Sequence, residues 1–299
     1  MTRRVGLHTL WLLCACALLA YMAMTRGALQ ISSDQIWQIL LGQGASNVKL
    51  IVLEWRLPRV LMALLIGAAL GISGAIFQSL LRNPLGSPDI LGFNTGAYSG
   101  VLVALVLFNQ SVTAMLIIVG ISVRALLMAL NSWLIISASL ESALSAGLWS
   151  AGSLNGITWA KTPPVIAVLL LALLLMALLA RRMRLLEMGD DTACALGVPV
   201  ERSRMWLMLI GVVLTAASTA LVGPISFVAL LAPQIARRLG GGVKGALPLA
   251  ALCGALLLIA ADFAAQHLFL PYQLPDGVIT VILGGLYLIA LLVREARRQ

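Results

Sequence analysis

Long apolar runs are the feature of this sequence that most restricts its fold. The stretch Val60–Leu81, "VLMALLIGAALGISGAIFQSLL", contains no charged residue. A membrane-spanning helix needs about 20 consecutive residues that are mostly apolar. Charged residues make up only 10% of the 299-residue chain, against about 25% in soluble domains, and the mean hydropathy is +1.02. The sequence therefore predicts a polytopic membrane protein.

Nine runs of this kind are predicted to cross the membrane. None has the alternation of apolar and polar residues that is typical of a transmembrane β-barrel strand. Because backbone N–H and C=O groups must be paired in lipid, we predict an all-α helical bundle. The nine predicted spans are Val5–Met24, Val60–Leu81, Ile90–Phe108, Val112–Ala138, Pro163–Ala180, Met205–Val222, Ile225–Ala236, Leu247–Leu268 and Gly277–Val293.

Two pairs of glycines predict where helices approach closely. Gly67 and Gly71 form a G-x-x-x-G pair in the second span, and Gly92 and Gly96 form another in the third. Small residues at this spacing lie on one helix face and let a neighbouring backbone come near.

The distribution of positive charge predicts the topology. The net charge is +9, and the basic residues stand in short clusters beside the span ends. Cytoplasmic ends of membrane helices are enriched in Lys and Arg, so both termini are predicted to be cytoplasmic. Short separate clusters also argue against a nucleic-acid-binding surface. The clusters are Arg3/Arg4, Arg82, Arg181/Arg182/Arg184, Arg202/Arg204, Arg237/Arg238/Lys244 and Arg294/Arg297/Arg298.

Nine crossings cannot place both termini in the same compartment. When each span is oriented in turn from the N-terminus and from the C-terminus, the two assignments disagree only between Phe108 and Pro163. Either Ser139–Ala160 crosses as a weak tenth span, which would bury Glu141, or a whole span is missing near residues 111–118. The second solution is favoured, and the intact protein is expected to contain roughly 20–30 further residues there, which is one span and its connection.

The sequence lacks the residues that several classes of function require. The four cysteines and two histidines form no metal-ligand spacing, and the cysteines are expected to serve as small packing residues. The sequence has no Walker motif, so any ATP hydrolysis must come from a partner. It also has no nucleophile–base constellation, so it is not expected to be an enzyme or to bind a metal or cofactor itself.

A short polar segment, "LLEMGDDTACALGVPVERSR", interrupts two apolar spans. Asp190 and Asp191 suit a helix N-terminus, and Gly197 suits the position just after a helix end. Ala193 and Leu196 are predicted to share one face. An amphipathic helix on the membrane surface would be longer and more basic. The segment therefore favours a compact helix that fits a groove on a partner.

Three arginines and one asparagine are candidates for contact with other molecules. Arg56 and Arg59, in "EWRLPRV", are predicted to lie outside, where they either snorkel to the interface or bind carboxylates of a partner. Arg124 lies inside an apolar span, where a charge needs a partner such as Asp262 or a polar cavity. We favour a role for Arg124, with Asn94, in lining a path for an anionic substrate. Asp262 is expected to be structural.

Five motifs in order are similar to those of one transporter family: "RLPR", "RNPLGSPDILG", "GDDTACALG", "GPISFVALLAP" and "QLPDGVIT". They resemble the FecCD-type permease subunits of bacterial ATP-binding-cassette importers, which import iron–siderophore complexes, haem and vitamin B12. The resemblance covers nearly the whole chain. Its motif residues, expected to be structural, are Asn83, Pro84, Pro88, Gly92, Gly96, Gly223, Pro224, Pro233 and Pro275.

The resemblance implies a single ten-helix permease domain over residues 1–299, in the bacterial inner membrane with both termini cytoplasmic. A sister permease would form a heterodimer with it, two ATPases holding ATP-Mg would dock on the cytoplasmic side, and a periplasmic binding protein would deliver the cargo. Arg56 and Arg59 would meet acidic residues of that binding protein. The coupling helix at about 189–197 would enter the ATPase through Gly189, Asp190, Asp191, Ala193, Leu196 and Gly197.

Within the family, the sequence most resembles permeases for ferric enterobactin, which makes that chelate the expected cargo. Haem, cobalamin or another siderophore are the alternative cargoes, and an ion-coupled secondary transporter is the rival class.

The chain departs from the family pattern in three places. The fourth helix of the family has no counterpart, which agrees with the topological conflict described above. Gln234 stands where the family usually has histidine, and Asp276 stands where it has an apolar residue.

Overall fold

The computed structural model of the chain describes residues 2–27, 29–43, 46–88, 113–240, 247–269 and 273–296. The predicted span Ile90–Phe108, the pair Gly92 and Gly96, and Asn94 lie outside these residues. The side chain of Arg124 also lies outside the described part, although its backbone is within it.

All regular elements among the described residues are helical, so the all-α prediction is confirmed. A π-helical turn, Ile51–Arg56, joins α3 to α4 without a break. The helices are α1 (Thr2–Thr25), α2 (Ser33–Leu40), α3 (Ser46–Leu50), α4 (Leu57–Leu80), α5 (Thr113–Ser137), α6 (Leu140–Ser150), α7 (Pro163–Glu187), α8 (Asp190–Ala195), α9 (Val200–Val222), α10 (Val228–Leu239), α11 (Leu247–His267) and α12 (Asp276–Ala296).

Five helical stretches among the described residues are long and apolar enough to cross a membrane. Each of them contains or overlaps a predicted span. They are Val5–Thr25, Ser46–Leu80, Pro163–Glu187, Val200–Val222 and Leu247–His267. Shorter apolar stretches lie in α5 and α12, at Ala125–Ser137 and Asp276–Ala290. The chain is therefore a membrane protein built from helices.

Helix α4 lies at the centre of the bundle and packs directly on the backbone of α11. A Cβ atom added to Gly67 would collide with the carbonyl group of Gly254, and one added to Gly71 would collide with that of Ala250. The close approach predicted from Gly67 and Gly71 is confirmed. Contacts of this kind hold membrane helices together, because burial against lipid provides little drive for association.

The predicted span Ile225–Ala236 is wrong as a full helical crossing. The helix α10 has 12 residues, which corresponds to about 18 Å. Gly223 and Phe227 before it adopt positive φ angles of 76° and 69°, and Pro224 lacks an N–H group, so the helix cannot extend backwards. Ile225 is buried, and irregular backbone is tolerated at membrane depth where protein surrounds it.

The segment Ser139–Ala160 does not form a continuous helix. Ser139 caps the start of α6 by accepting a hydrogen bond from the N–H of Ser142, and turns follow from Ala151 onwards. Glu141 is exposed. The structure therefore gives no support to a tenth span in this segment.

The bundle has two ends with different polar groups. One, here called the Arg59 end, contains the start of α4, the end of α11, the start of α12 and the loop that follows α6. The other, the α8 end, contains Arg82, the helix α8 and the start of α9. The basic clusters beside α8 predict that this end is cytoplasmic.

Candidate functional site

The short helix predicted between Asp190 and Gly197 is present as α8. It begins after Gly189, whose φ of 116° allows the sharp turn out of α7. It ends before Gly197, whose φ is 77° and whose N–H donates to the carbonyl of Cys194. Glycine favours both positions because it has no Cβ atom. The two glycines therefore make α8 a separate one-turn element between α7 and α9.

One side of α8 is anchored in the protein and the rest is exposed. Ala193 is fully buried in the main hydrophobic core. Leu196, predicted to share its face, is instead 59% exposed, and Met188 just before the helix is 66% exposed. Asp191 is exposed and forms no ion pair among the described residues. The exposed surface at α8 thus combines the apolar side chains of Met188 and Leu196, which flank the helix, with polar groups of the helix itself, and such a mixed surface suits an element that docks into a groove.

Asp190 is held by two arginines from other helices. Nη2 of Arg204, in α9, donates to both carboxylate oxygens of Asp190 at 2.8 and 2.7 Å. Nη2 of Arg82, just after α4, donates to Oδ1 at 2.9 Å. We call these three residues the Asp190 triad. From the sequence, Arg82 and Arg204 predict topology alone, and no local pattern indicates their contact with Asp190, because Arg82 is 108 residues away from it.

At the Arg59 end, a second cluster joins Arg59 to two buried carboxylates. Nε of Arg59 donates to Oδ1 of Asp262 at 2.7 Å, and Nη1 donates to Oδ1 of Asn155 at 2.5 Å. Asp276 lies 4.0 Å from the same guanidinium and accepts a 2.5 Å hydrogen bond from the N–H of Leu154. Asp262 and Asp276 are both fully buried. This Arg59 cluster ties α4, α11, α12 and the loop after α6 together.

Arg56 is also engaged within the subunit. Its guanidinium donates to the carbonyl oxygens of Met24 at 2.6 Å and Leu29 at 2.5 Å. Met24 belongs to the last turn of α1, where carbonyl groups lack helical partners, so Arg56 satisfies one of them. Both predicted docking arginines therefore have internal partners, while their side chains stay partly exposed.

Several motif residues pack at the α8 end. Nε2 of Gln234 donates to the carbonyl of Pro84 at 2.9 Å, and the hydroxyl of Tyr287 donates to Oε1 of Gln234 at 2.8 Å. Oδ1 of Asn83 accepts from the N–H of Leu85 at 2.9 Å, which closes the turn after α4. Gln234, the departure from the family histidine, thus connects α10, α12 and this turn.

Four further motif residues, Gly223, Pro224, Pro233 and Pro275, lie inside α10 or at the Arg59 end. Pro233 lies inside α10. The carbonyl of Pro224 would meet a Cβ atom on Gly152, and the N–H of Val278 donates to the carbonyl of Pro275 at 3.1 Å. A Cβ atom on Gly223 would meet the carbonyl of Trp149. These three close backbone contacts at the Arg59 end explain the small and rigid residue types there.

Among the described residues, no group of three or more His, Cys, Asp or Glu side chains could hold a metal ion. Arg124 lies in α5, and its side chain and Asn94 are outside the described part, so their placement relative to a pathway stays a prediction.

Comparison with known proteins gives consistent matches along the chain. Residues 13–116 and 108–294 match the FecCD transport family, in two stretches that overlap at 108–116. The chain is 58% identical, over 327 aligned positions, to the ferric enterobactin transport system permease protein FepG of Escherichia coli (strain K12). That alignment covers 100% of this chain and 99% of FepG.

A second relative and a solved structure are more distant. The achromobactin transport system permease protein CbrC of Dickeya dadantii (strain 3937) is 33% identical, with 98% of this chain and 94% of CbrC covered. A solved chain described as an inward-facing conformation of a metal-chelate type ABC transporter superposes with a TM-score of 0.80 at 27% identity. The superposition covers 96% of this chain and 98% of the solved chain. The chain belongs to the FecCD transport family.

Proposed function

We propose that this chain is the membrane-spanning permease subunit of an ATP-driven importer that carries ferric enterobactin into the cytoplasm. The observation that carries this proposal is the 58% identity to the E. coli ferric enterobactin permease over the full length of both proteins. The achromobactin permease, at 33%, is much more distant, which favours ferric enterobactin over another siderophore, haem or cobalamin. The chain is a transport subunit and not an enzyme.

The similarity to an ABC transporter structure favours ATP as the energy source over an ion gradient. In this assembly the chain is one permease domain in the inner membrane, with both termini cytoplasmic. A sister permease completes the heterodimer, and two ATPases bind ATP-Mg outside this chain. The short length of α8 and the exposed apolar side chains of Met188 and Leu196 beside it support its role as the element that enters an ATPase, with Gly189 and Gly197 as its boundaries.

A periplasmic binding protein is proposed to dock at the Arg59 end. Arg56 and Arg59 supply partly exposed guanidinium groups there, and their internal partners fix them in position. Fixed guanidinium groups lose little side-chain entropy when they bind carboxylates of a partner.

Arg124 and Asn94 are proposed to line the pathway, because a cation at membrane depth needs a polar cavity or an anionic partner. Ferric enterobactin is anionic at neutral pH. Arg124→Gln should slow uptake while the ATPase still associates with the permease. Uptake at the unaltered rate would contradict this role.

We propose that one membrane span is absent near residues 111–118. Two observations support it. The alignment with the E. coli permease has 327 positions, which is 28 more than the 299 residues of this chain, and the two family matches overlap at residues 108–116. A span with its connection needs about this many residues. We use the term restored chain for this sequence with the corresponding residues of the E. coli permease inserted within residues 111–118.

Cargo selectivity in cells tests the proposed function. A strain that lacks its own enterobactin permease would express either the restored chain or the 299-residue chain, each with the sister permease. The restored chain should support uptake of iron presented as ferric enterobactin, and the 299-residue chain should support none. Uptake of haem or cobalamin instead would contradict the assigned cargo. Equal uptake by both chains would contradict the missing span.

A further inference from the structure

We infer that Asp190, Arg82 and Arg204 are positioning residues that make α8 move as one body with α4 and α9. This inference rests on the proposed function, in which α8 meets an ATPase. It assigns Asp190 to contacts within the permease and leaves Asp191 as the carboxylate that faces the partner.

Without the Asp190 triad, α8 would be held weakly. It is a single turn between Gly189 and Gly197, whose positive φ angles of 116° and 77° mark two sharp backbone bends. Glycine has the widest choice of backbone angles, so these bends can act as pivots. Of its own residues, only Ala193 is buried. A force applied to the exposed surface of α8 could tilt it unless a further contact opposes that motion.

The triad supplies that contact and reaches two different membrane helices. Arg204 lies in the second turn of α9 and binds both oxygens of Asp190, while Arg82 follows the end of α4 and binds one of them. Charge-assisted hydrogen bonds of this kind fix geometry as well as adding attraction. A displacement of α8 would therefore strain its contacts with the ends of both α4 and α9.

The backbone at Arg82 supports a specific role for this contact. Arg82 has a φ of 49°, and it is one of two residues other than glycine with a positive φ among the described residues. Residues with a Cβ atom disfavour this conformation, which persists only where surrounding contacts hold it. The bend turns the chain after α4 so that the side chain of Arg82 lies beside Asp190.

The two helices that hold Asp190 are themselves joined in the membrane core. Oγ of Ser73, in α4, lies 2.8 Å from the carbonyl of Gly211 and 2.7 Å from the hydroxyl of Thr215, both in α9. All of these atoms are buried. Motion passed from α8 to either helix would thus reach both.

Two neighbouring carboxylates provide matched controls. Glu201 lies 3.9 Å from the same Arg204 but is 90% exposed, so it contributes little to holding that arginine. Asp191 has the same charge as Asp190 and adjoins it at the same helix start, but it is exposed and outside the triad. Substitutions that neutralise Asp190, Asp191 and Glu201 should therefore give three different results.

The first measurement reports directly on α8 and needs no transport. Cys194 is exposed on α8, and Cys14 is the other exposed cysteine among the described residues. A spin label on Cys194 would be introduced into the 299-residue chain carrying Cys14→Ser, in lipid bilayers with the sister permease. Asp190→Asn, Arg82→Gln and Arg204→Gln should each increase the mobility of the label, whereas Glu201→Gln should not.

The second measurement reports on coupling in the complete transporter built with the restored chain. Asp190→Asn should raise the ATP hydrolysed per chelate transported at least threefold, without loss of ATPase association. The double variant Asp190→Asn with Arg204→Gln should raise this ratio little further, because both substitutions remove the same contact. Asp191→Asn should instead weaken ATPase association and leave the ratio unchanged.

Unchanged label mobility in all three triad variants would overturn the inference, as would loss of ATPase association in Asp190→Asn. Normal ATP consumption per chelate in that variant would also overturn it. Absence of transport by the unaltered restored chain would count against the proposed function, and the label mobility would still decide the inference.

Discussion

Nε of Arg59, in the first turn of α4, donates a 2.7 Å hydrogen bond to Oδ1 of Asp262, near the end of α11. The carboxylate of Asp262 is fully buried, and its other oxygen accepts a 2.9 Å hydrogen bond from Gln266. A residue proposed to dock a partner therefore also closes a buried ion pair between two core helices. A substitution at Arg59 should therefore alter both the stability of the subunit and its docking to the partner.

Asp262→Ala should strongly destabilise the protein. It would leave the guanidinium of Arg59, which is only 16% exposed, without its main charge partner. Breaking a buried ion pair in this way costs about 3–5 kcal/mol. The free energy of unfolding, measured by denaturant titration in mixed micelles, checks this. Asp34→Ala, at an exposed carboxylate, serves as the control, and an equal effect of the two substitutions would contradict the prediction.

Asp276 should contribute to the stability of the protein more through the hydrogen bond that it accepts than through its charge. It accepts from the N–H of Leu154, while its distance to Arg59 is 4.0 Å. Asp276→Asn keeps an acceptor and should change the free energy of unfolding by less than about 1 kcal/mol. Asp276→Val, the apolar type expected in the family, leaves that buried N–H unpaired and should cost about 1–3 kcal/mol. Equal effects of the two variants in the same titration would refute this assignment.

Gly67→Ala should disrupt the packing of α4 on α11. The added methyl group would collide with the backbone carbonyl of Gly254, which cannot move aside without shifting a helix. Overpacking a core contact costs about 1–3 kcal/mol. The matched control is Gly147→Ala in α6, where nothing lies within 4 Å of the added atom, and it should be neutral or slightly stabilising. Thermal unfolding in micelles would compare them, and a fully tolerated Gly67→Ala would contradict the packing described here.

Arg56→Glu gives the cleaner test of docking. Among the described residues, Arg56 donates only to the uncharged carbonyl groups of Met24 and Leu29, so reversing its charge leaves no buried carboxylate there unpaired. The variant should bind the loaded periplasmic protein at least tenfold more weakly, mainly through slower association. Surface plasmon resonance on reconstituted complexes measures this. Arg56→Gln should give an intermediate affinity, and unchanged affinity in both variants would exclude Arg56 from the interface.

Local patterns predicted much of this molecule. Apolar runs identified the long helices, the spacing of Gly67 and Gly71 identified a helix contact, and glycines at 189 and 197 marked the bounds of α8. These features depend on residues that are near one another in the sequence. Hydropathy did not distinguish the irregular stretch before α10 from a helix, because both are apolar when surrounded by protein.

Long-range partners could not be predicted in the same way. Arg59 and Asp262 are separated by most of the chain, and Asp190 has one partner from α9 and another from the end of α4. Any of several carboxylates could have satisfied these arginines, and only the packing of the helices selects among them. The position of Arg124 inside an apolar span predicts Asp262 as a candidate partner for it, but in the structure Asp262 binds Arg59.

The most direct test of the proposed function measures uptake of ferric enterobactin into proteoliposomes. They would contain the restored chain, the sister permease and the ATPase, with loaded binding protein outside and ATP-Mg inside. We expect uptake that requires ATP hydrolysis, stops with a catalytically inactive ATPase, and is unaffected when proton and sodium gradients are collapsed. Uptake that continues without ATP and follows an imposed ion gradient would contradict the account.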